Sequence, residues 1–197
     1  MHNKKRCRGS HFFGDNKGPS SFSMQDPKLI FDELDLKPGQ AFLDMGCGTG
    51  DYTIQASKMI GASGMVYALD MWEDLVTNLA EKADSNGLKN IKAMVADITD
   101  VLPIDDRSID ICFIATVLHG IELHKNKENL FSEINRVLKP KGSLSIVNCK
   151  KEEQPFGPPL HMRLSPEEME SIALEYGFEK INLVDLGYNY MIQFGVK

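Results

Sequence analysis

The sequence predicts an α/β protein built on a seven-stranded, mostly parallel sheet with helices on both faces and an antiparallel hairpin at its C-terminal end. Three observations lead there. Between residues 41 and 148, short apolar runs alternate with longer stretches of helical periodicity, the pattern of βαβ units. The first run ends in a glycine-rich turn, "MGCGTGD", that opens straight into a helical stretch. The last two apolar runs are separated only by Gly187, too short a link for a crossover helix, so those strands must pair antiparallel.

Each element has a local reason. "MQDPKLIFDELDL" reads as an amphipathic helix with Asp26 as N-cap, Pro27 in the first helical position and Leu29, Ile30 and Leu34 on one face, closed by "KPGQ". Strands follow at "AFLDM" (41–45), "MVYAL" (65–69), "IKAMVA" (91–96), "IDICFIA" (109–115) and "SLSIVN" (143–148). The intervening segments "YTIQASKMIG", "EDLVTNLAEKADSNG" and "KENLFSEINRVLK" carry apolar residues at helical spacing. "LSPEEMESIALEYGF" is a helix with Ser165 as N-cap, Pro166 behind it and Gly177 as its stop, and "EKINLVDL" and "YNYMIQFGV" form the hairpin. Residues 1–23 are polar, rich in Gly and Ser and without period, and read as a flexible N-terminal segment. Residues 24–197 read as one domain.

Composition narrows the function. Of 197 residues, 42% are hydrophobic and 25% charged, ordinary globular usage. Against 28 Asp and Glu stand 22 Lys and Arg, a net charge of -6, so the broad basic surface that a nucleic-acid backbone demands is missing and no nucleic-acid partner is expected. Cys7, Cys47, Cys112 and Cys149 lack the short spacings of a zinc or redox pair and read as reduced thiols of a cytoplasmic protein, with no metal expected. Cys112 and Cys149 fall in apolar runs and are expected to be buried. No run approaches the length of a membrane span, and no signal-peptide core follows the basic start.

A strand ending in a glycine turn that opens a helix presents backbone N–H groups and the positive end of a helix dipole to a ligand. The dinucleotide fingerprint places glycines at the first, third and sixth positions. Here Gly46, Gly48 and Gly50 alternate and the sixth position is Asp51, an acid that would repel a pyrophosphate. The spacing favours a ligand without phosphates.

Asp44 followed by Gly46, Gly48 and Gly50 resembles the first motif of the class I S-adenosylmethionine-dependent methyltransferases, an acidic residue followed by GxGxG. "VYALD", "VADITDVLPIDDRSIDICFIATVLHGI" and "INRVLKPKGSLSIVN" follow in the order of that family's quinone-biosynthesis type, and the terminal hairpin matches its reversed seventh strand. The resemblance runs from about Asp26 onward. It implies a Rossmann-like fold, S-adenosyl-L-methionine as cofactor and a methyltransferase acting on a small-molecule acceptor. It also implies roles: Asp44 orienting the methionine end, Gly46, Gly48 and Gly50 forming its seat, Asp70 with neighbouring Met71 at the ribose, Asp97 and Ile98 at the adenine, and Thr116 on the cofactor side.

His119, at the end of the fourth strand, is the candidate catalytic base, since imidazole takes a proton near neutral pH; capping the next helix or packing beside the cofactor are its structural alternatives. His2, His11, His124 and His161 have weaker claims. "PFGPPLHMRLS", with Phe156, His161 and Met162, is either acceptor pocket or rigid connector, and Tyr188 and Tyr190 are either pocket or sheet packing. Phe12, Phe13 and Phe22 are candidates for an N-terminal lid. The acceptor is expected to sit between His119 and Met162. Two rival functions remain at this level, an NAD(P)-dependent oxidoreductase and a noncatalytic S-adenosylmethionine-binding module. Arsenite methylation, which needs converging thiols, is opposed by the scattered cysteines.

Overall fold

The computed structural model describes residues 21–197. After a 3-10 turn at Ser21–Met24 come α1 (Pro27–Leu34), β1 (Ala41–Met45), α2 (Asp51–Ile60), β2 (Met65–Asp70), α3 (Glu73–Ser85), β3 (Ile91–Val95) and β4 (Ile109–Ala115). Then follow α4 (Leu123–Val137), β5 (Leu138–Cys149), α5 (Pro166–Glu175), β6 (Phe178–Leu186) and β7 (Asn189–Val196). The strands form one seven-stranded sheet in the order β3-β2-β1-β4-β5-β7-β6, parallel from β3 through β5 and antiparallel at β7 and β6.

The caps are those read from the sequence. The Asp26 carboxylate accepts from the N–H groups of Lys28 and Leu29. At α5, Ser165 Oγ accepts from Glu168 N while the Glu168 carboxylate accepts from Ser165 N, a reciprocal capping box. Alternation then sorts the strands between two cores. Phe42, Val66, Phe113, Val147 and Met191 face α1 and α2, and Ala68 packs on Leu79 of α3. Leu43, Cys112, Leu144, Ile146 and Phe194 face the other way, against Leu130, Phe131 and Ile134 of α4 and Met169 of α5. With both faces covered, the central strands are apolar at successive positions, as parallel sheets require.

Two features differ from the sequence expectation. The fifth strand begins at Leu138, not residue 143, because Leu138 pairs with Ile109 across an irregularity before the regular register resumes at Ile111 and Ser143. Cys149 is only half-buried, unlike Cys112, because it is the last residue of β5 and lies at the sheet's rim. Of the segment 1–23, residues 21–23 belong to the 3-10 turn, while Cys7, His2, His11, Phe12 and Phe13 lie outside the described residues. Among the described residues no helix is long and apolar enough to cross a membrane.

The strand order reverses between β1 and β4, whose neighbours run outward on opposite sides. Connections that diverge there leave a crevice at the carboxyl ends of β1 and β4, the place where open α/β sheets bind ligands.

Candidate functional site

The glycine turn sits in that crevice. Gly46 N and Cys47 N both donate to Leu69 O, at 2.7 and 2.9 Å, which ties the turn to β2. Gly46, Gly48 and Gly50 have φ of 80°, 52° and 77°, a region costly for other residues. Their surroundings differ. A Cβ on Gly46 would lie 2.5 Å from Val117 Cγ2 and one on Gly50 2.2 Å from Leu79 Cδ1, whereas one on Gly48 would meet nothing within 4 Å. Packing thus demands glycine at 46 and 50, while Gly48 alone turns bare backbone toward open space. Gly50→Ala is expected to cost about 3 kcal/mol of stability, from left-handed strain plus the collision with Leu79. Gly48→Ala is expected to cost about 1 kcal/mol, from strain alone, while weakening ligand binding. Urea unfolding and calorimetric titration separate the two effects.

Two acids converge on the turn. Asp70, at the end of β2 and 7% exposed, accepts from Gly48 N through Oδ2 (2.9 Å) and from Trp72 N through Oδ1 (3.0 Å). Each oxygen retains a further lone pair. Asp44, on β1, is 2% exposed, and its Oδ2 accepts from Thr53 Oγ1 at 2.6 Å. Burial pushes its carboxyl up to about 7, against the Thr53 hydrogen bond and reinforced by the Asp70 charge. The Thr53 backbone adds a further hydrogen bond to the same carboxylate. Asp51 begins α2, where it accepts from Thr49 Oγ1 (2.7 Å) and Lys82 Nζ (3.0 Å).

Met71 and Trp72, both largely exposed, form an apolar shelf after Asp70. Asp97 is exposed, and its Oδ1 accepts from both N (2.9 Å) and Oγ1 (2.7 Å) of Thr99, a local turn; Ile98 beside it is buried. At the end of β4, Thr116 has φ 54° with its N–H bonded to Val147 O (2.8 Å). A β-branched residue in the left-handed region stores strain of the kind found at ligand clamps.

His119 lies in the 3-10 turn Leu118–Gly120, half-buried, and burial lowers its pKa so that the imidazole is neutral at physiological pH. The N-cap of α4 is Glu122, so His119 does not cap that helix. With Asn148, Cys149, Met162 and Arg163 it lines a cavity of about 10 Å³, room for one water. The wall of that cavity is held by Arg163, 6% exposed, whose guanidinium donates to the carbonyls of Pro158, Lys150, Glu152 and Phe156. The proline-rich loop is therefore a braced connector that also carries Met162 to the cavity. Phe156 packs edge-on to Tyr188 at 4.6 Å, both at the surface, whereas Tyr190 is 2% exposed and donates to Leu164 O, so it belongs to the sheet packing. His124 and His161 are exposed and outside the cavity lining. Among the described residues no cluster of His, Cys, Asp and Glu could hold a metal ion.

Sequence reasoning missed a polar chain that crosses the crevice. Tyr52, in the first turn of α2, stacks edge-on with Phe22 and Phe113, each at 5.0 Å, and accepts from Gln25 Nε2 at 2.7 Å. Gln25 Oε1 in turn accepts from Asn189 Nδ2 of β7 at 3.0 Å. Partners this far apart in sequence leave no local signal. The pairing of Asp44 with Thr53 was equally hidden, although the two residues flank the glycine turn.

Comparisons with known proteins converge. A methyltransferase domain family model matches residues 36–186. Demethylmenaquinone methyltransferase from Lactobacillus johnsonii is 35% identical over 131 residues, 66% of this chain and 52% of the relative. That from Staphylococcus aureus is 34% identical over the same length. The chain thus spans about half the length of the curated relatives it matches. A SAM-dependent methyltransferase from Aquifex aeolicus superimposes with a TM-score of 0.82 at 32% identity, covering 91% of this chain and 94% of the other. A Pyrococcus horikoshii protein, with a TM-score of 0.72 at 20% identity and 90% coverage of each, shares the fold.

Proposed function

Because this chain belongs to the S-adenosylmethionine-dependent methyltransferases, we propose that it methylates a small-molecule acceptor seated between His119 and Met162 by direct in-line transfer. Membership also settles the choice the glycine turn left open, in favour of S-adenosylmethionine over a dinucleotide.

The observation that carries this reading is the open backbone at Gly48, between a buried acid on β1 and a rim acid on β2. The residues present fit the cofactor. The spare lone pairs of Asp70 suit a ribose diol, and the Met71–Trp72 shelf adjoins it for an aromatic base. Asp97 and Ile98 follow β3 on the same edge of the sheet, where an adenine would extend. Asp44 offers buried negative charge to the ammonium end, and the first turn of α2 offers its positive dipole end to a carboxylate.

When bound, S-adenosylmethionine supplies a methyl already activated by its sulfonium, with a neutral thioether as leaving group. The chain's own task is then alignment. Thr116 and Val117 close the crevice beside the glycine turn, and the Arg163 brace holds Met162 opposite His119. His119, neutral through burial, is suited to accept the proton released by a hydroxyl or amine acceptor. The acidic balance of the chain and the name of its curated relatives both support a small molecule over a nucleic acid as acceptor.

The test has two stages. Calorimetric titration of the purified protein with S-adenosylhomocysteine is expected to show one site of micromolar or tighter affinity; absence of binding sinks the proposal. Incubation with methyl-labelled S-adenosylmethionine and a panel of small hydroxyl and amine compounds is expected to transfer label to at least one. Tight cofactor binding with no label transferred would mark a noncatalytic binding module instead.

A further inference from the structure

The cavity lined by His119, Asn148 and Arg163, about 10 Å³, has room for one water. The polar side chains on its wall are not equally occupied. Arg163 spends its guanidinium on four backbone carbonyls. Neither ring nitrogen of His119 has a hydrogen-bond partner among the described residues. Asn148, 6% exposed, makes one side-chain hydrogen bond among them, a long one of 3.5 Å from Nδ2 to the hydroxyl of Tyr190, which stands opposite it in the register of β5 and β7. The direction of that bond is fixed. The Tyr190 hydroxyl gives its only proton to Leu164 O at 2.9 Å, so it offers Asn148 a lone pair, and the amide turns its N–H to the tyrosine. The Asn148 carbonyl oxygen is then the atom left over. Among the described residues, the unpaired side-chain oxygens sealed inside protein are those of Gln154 and Asn189, so the Asn148 oxygen opens onto space, and the space beside it is this cavity.

Interior waters are held where a space of this size is flanked by two or more unpaired polar groups. A neutral imidazole has one N–H to give, and a water that accepts it has hydrogens to pass on to a carbonyl. Resting on the proposed role of His119 as the base beside the methyl acceptor, we propose that Asn148 is a positioning residue for His119, acting through one ordered water that accepts from a ring N–H and donates to Asn148 Oδ1. Its effect is on the tautomer. The nitrogen that keeps its proton for the water leaves the other nitrogen with a bare lone pair, ready for the proton of the methyl acceptor. Every bond in the chain then points one way, from His119 through the water and Asn148 to Tyr190 and Leu164 O. The other ionisable groups lining the cavity are Arg163 and Cys149, whose thiol is pushed up by burial against the pull of the Arg163 charge.

The test uses the full chain without ligand. A crystal structure is expected to show a water within hydrogen-bond distance of one His119 ring nitrogen and of Asn148 Oδ1. Nitrogen-15 NMR of the histidine rings, with the His119 signals assigned by their loss in His119→Gln, is expected to show one neutral tautomer favoured about tenfold or more. In Asn148→Leu, which removes the acceptor, the two tautomers are expected to come within about threefold of each other. Asn148→Asp keeps an oxygen toward the water, and is expected to hold the wild-type tautomer while raising the His119 pKa by about one unit. Cys149→Ala alters the same wall and leaves the acceptor in place, so it is expected to keep the tautomer; mixing there would assign the effect to the shape of the cavity and overturn the proposal. A wild-type cavity without that water, mixed tautomers in the wild type, or a preference that survives in Asn148→Leu each overturns it as well. If Asn148→Leu does not fold, the crystal structure and Asn148→Asp carry the test, and a tautomer lost in Asn148→Asp counts against the proposal. No measurement here needs the cofactor, so failure of S-adenosylhomocysteine to bind overturns the proposed function and is distinguishable from failure of this inference.

Discussion

Replacing Asp70 by alanine is expected to weaken S-adenosylhomocysteine binding roughly 100-fold, with a smaller loss in overall stability. The carboxylate holds Gly48 N on one side and Trp72 N on the other, so it sets the shape of the turn as well as offering its spare lone pairs to a ribose. Hydrogen bonds to a charged group are each worth about 1.5–3 kcal/mol, and two of them to a diol account for a loss of that size. Asp70→Asn keeps one carbonyl acceptor and replaces the other with a donor, and its affinity is expected to fall between wild type and alanine. Calorimetry measures the affinities, and urea unfolding of the ligand-free variants measures how much of the loss is loosening of the turn. An Asp70→Ala affinity within threefold of wild type would remove Asp70 from the binding site.

Asp44→Asn is expected to stabilise the ligand-free protein and weaken it as a cofactor binder, with both effects growing as pH rises. The Asp44 carboxyl is pushed up to about 7 in the folded chain, mainly by burial, from an ordinary 3.8 when unfolded. The folded state therefore holds a proton that the unfolded state has released between those values. Stability falls as pH climbs from about 4 to about 7, and above 7 the full penalty of a buried, ionised carboxylate remains. At about 1.4 kcal/mol per unit the penalty is a few kcal/mol. Among the described residues, the Asp70 charge pushes the Asp44 carboxyl further up, and Cys47, Tyr52 and Cys112 feel the Asp44 charge in turn. An asparagine keeps an oxygen for Thr53 Oγ1 and carries no charge. Its melting temperature is expected to exceed wild type by several degrees at pH 8 and to match it near pH 4. A cationic cofactor favours the ionised carboxylate, so wild-type affinity is expected to rise with pH through about 7, while that of Asp44→Asn stays flat. A variant less stable than wild type at pH 8 would mean that Asp44 serves the fold and not the ligand.

Much of this site was legible because its signals are local. A strand that ends at Asp44, three glycines at alternate positions and an acid at the end of the next strand are read within a few residues of each other, and the structure brings them to one crevice. The caps at Asp26 and Ser165 were legible for the same reason, since each bonds within three residues of itself. Legibility had limits even here. The three glycines looked alike in sequence, yet a Cβ would meet Val117 at Gly46 and Leu79 at Gly50 and nothing within 4 Å at Gly48. Whether Tyr190 lined a pocket or packed in the sheet could not be read from its neighbours; its hydroxyl bonds Leu164 O and its ring is buried.

By itself, the sequence determined the order of strands and helices, the reversed final hairpin, the helix ends and the chemical class of the cofactor turn, because each depends on residue period or on hydrogen bonds between near neighbours. Only the tertiary structure decided that β7 slips between β5 and β6, that Asp44 is buried against Thr53, and that Gln25 reaches from Tyr52 to Asn189. Those contacts join segments as much as 164 residues apart. Their partners are selected by the packing of the whole sheet, not by spacing along the chain, and for that reason the glycine turn was readable in advance while the chain from Tyr52 through Gln25 to Asn189 was not.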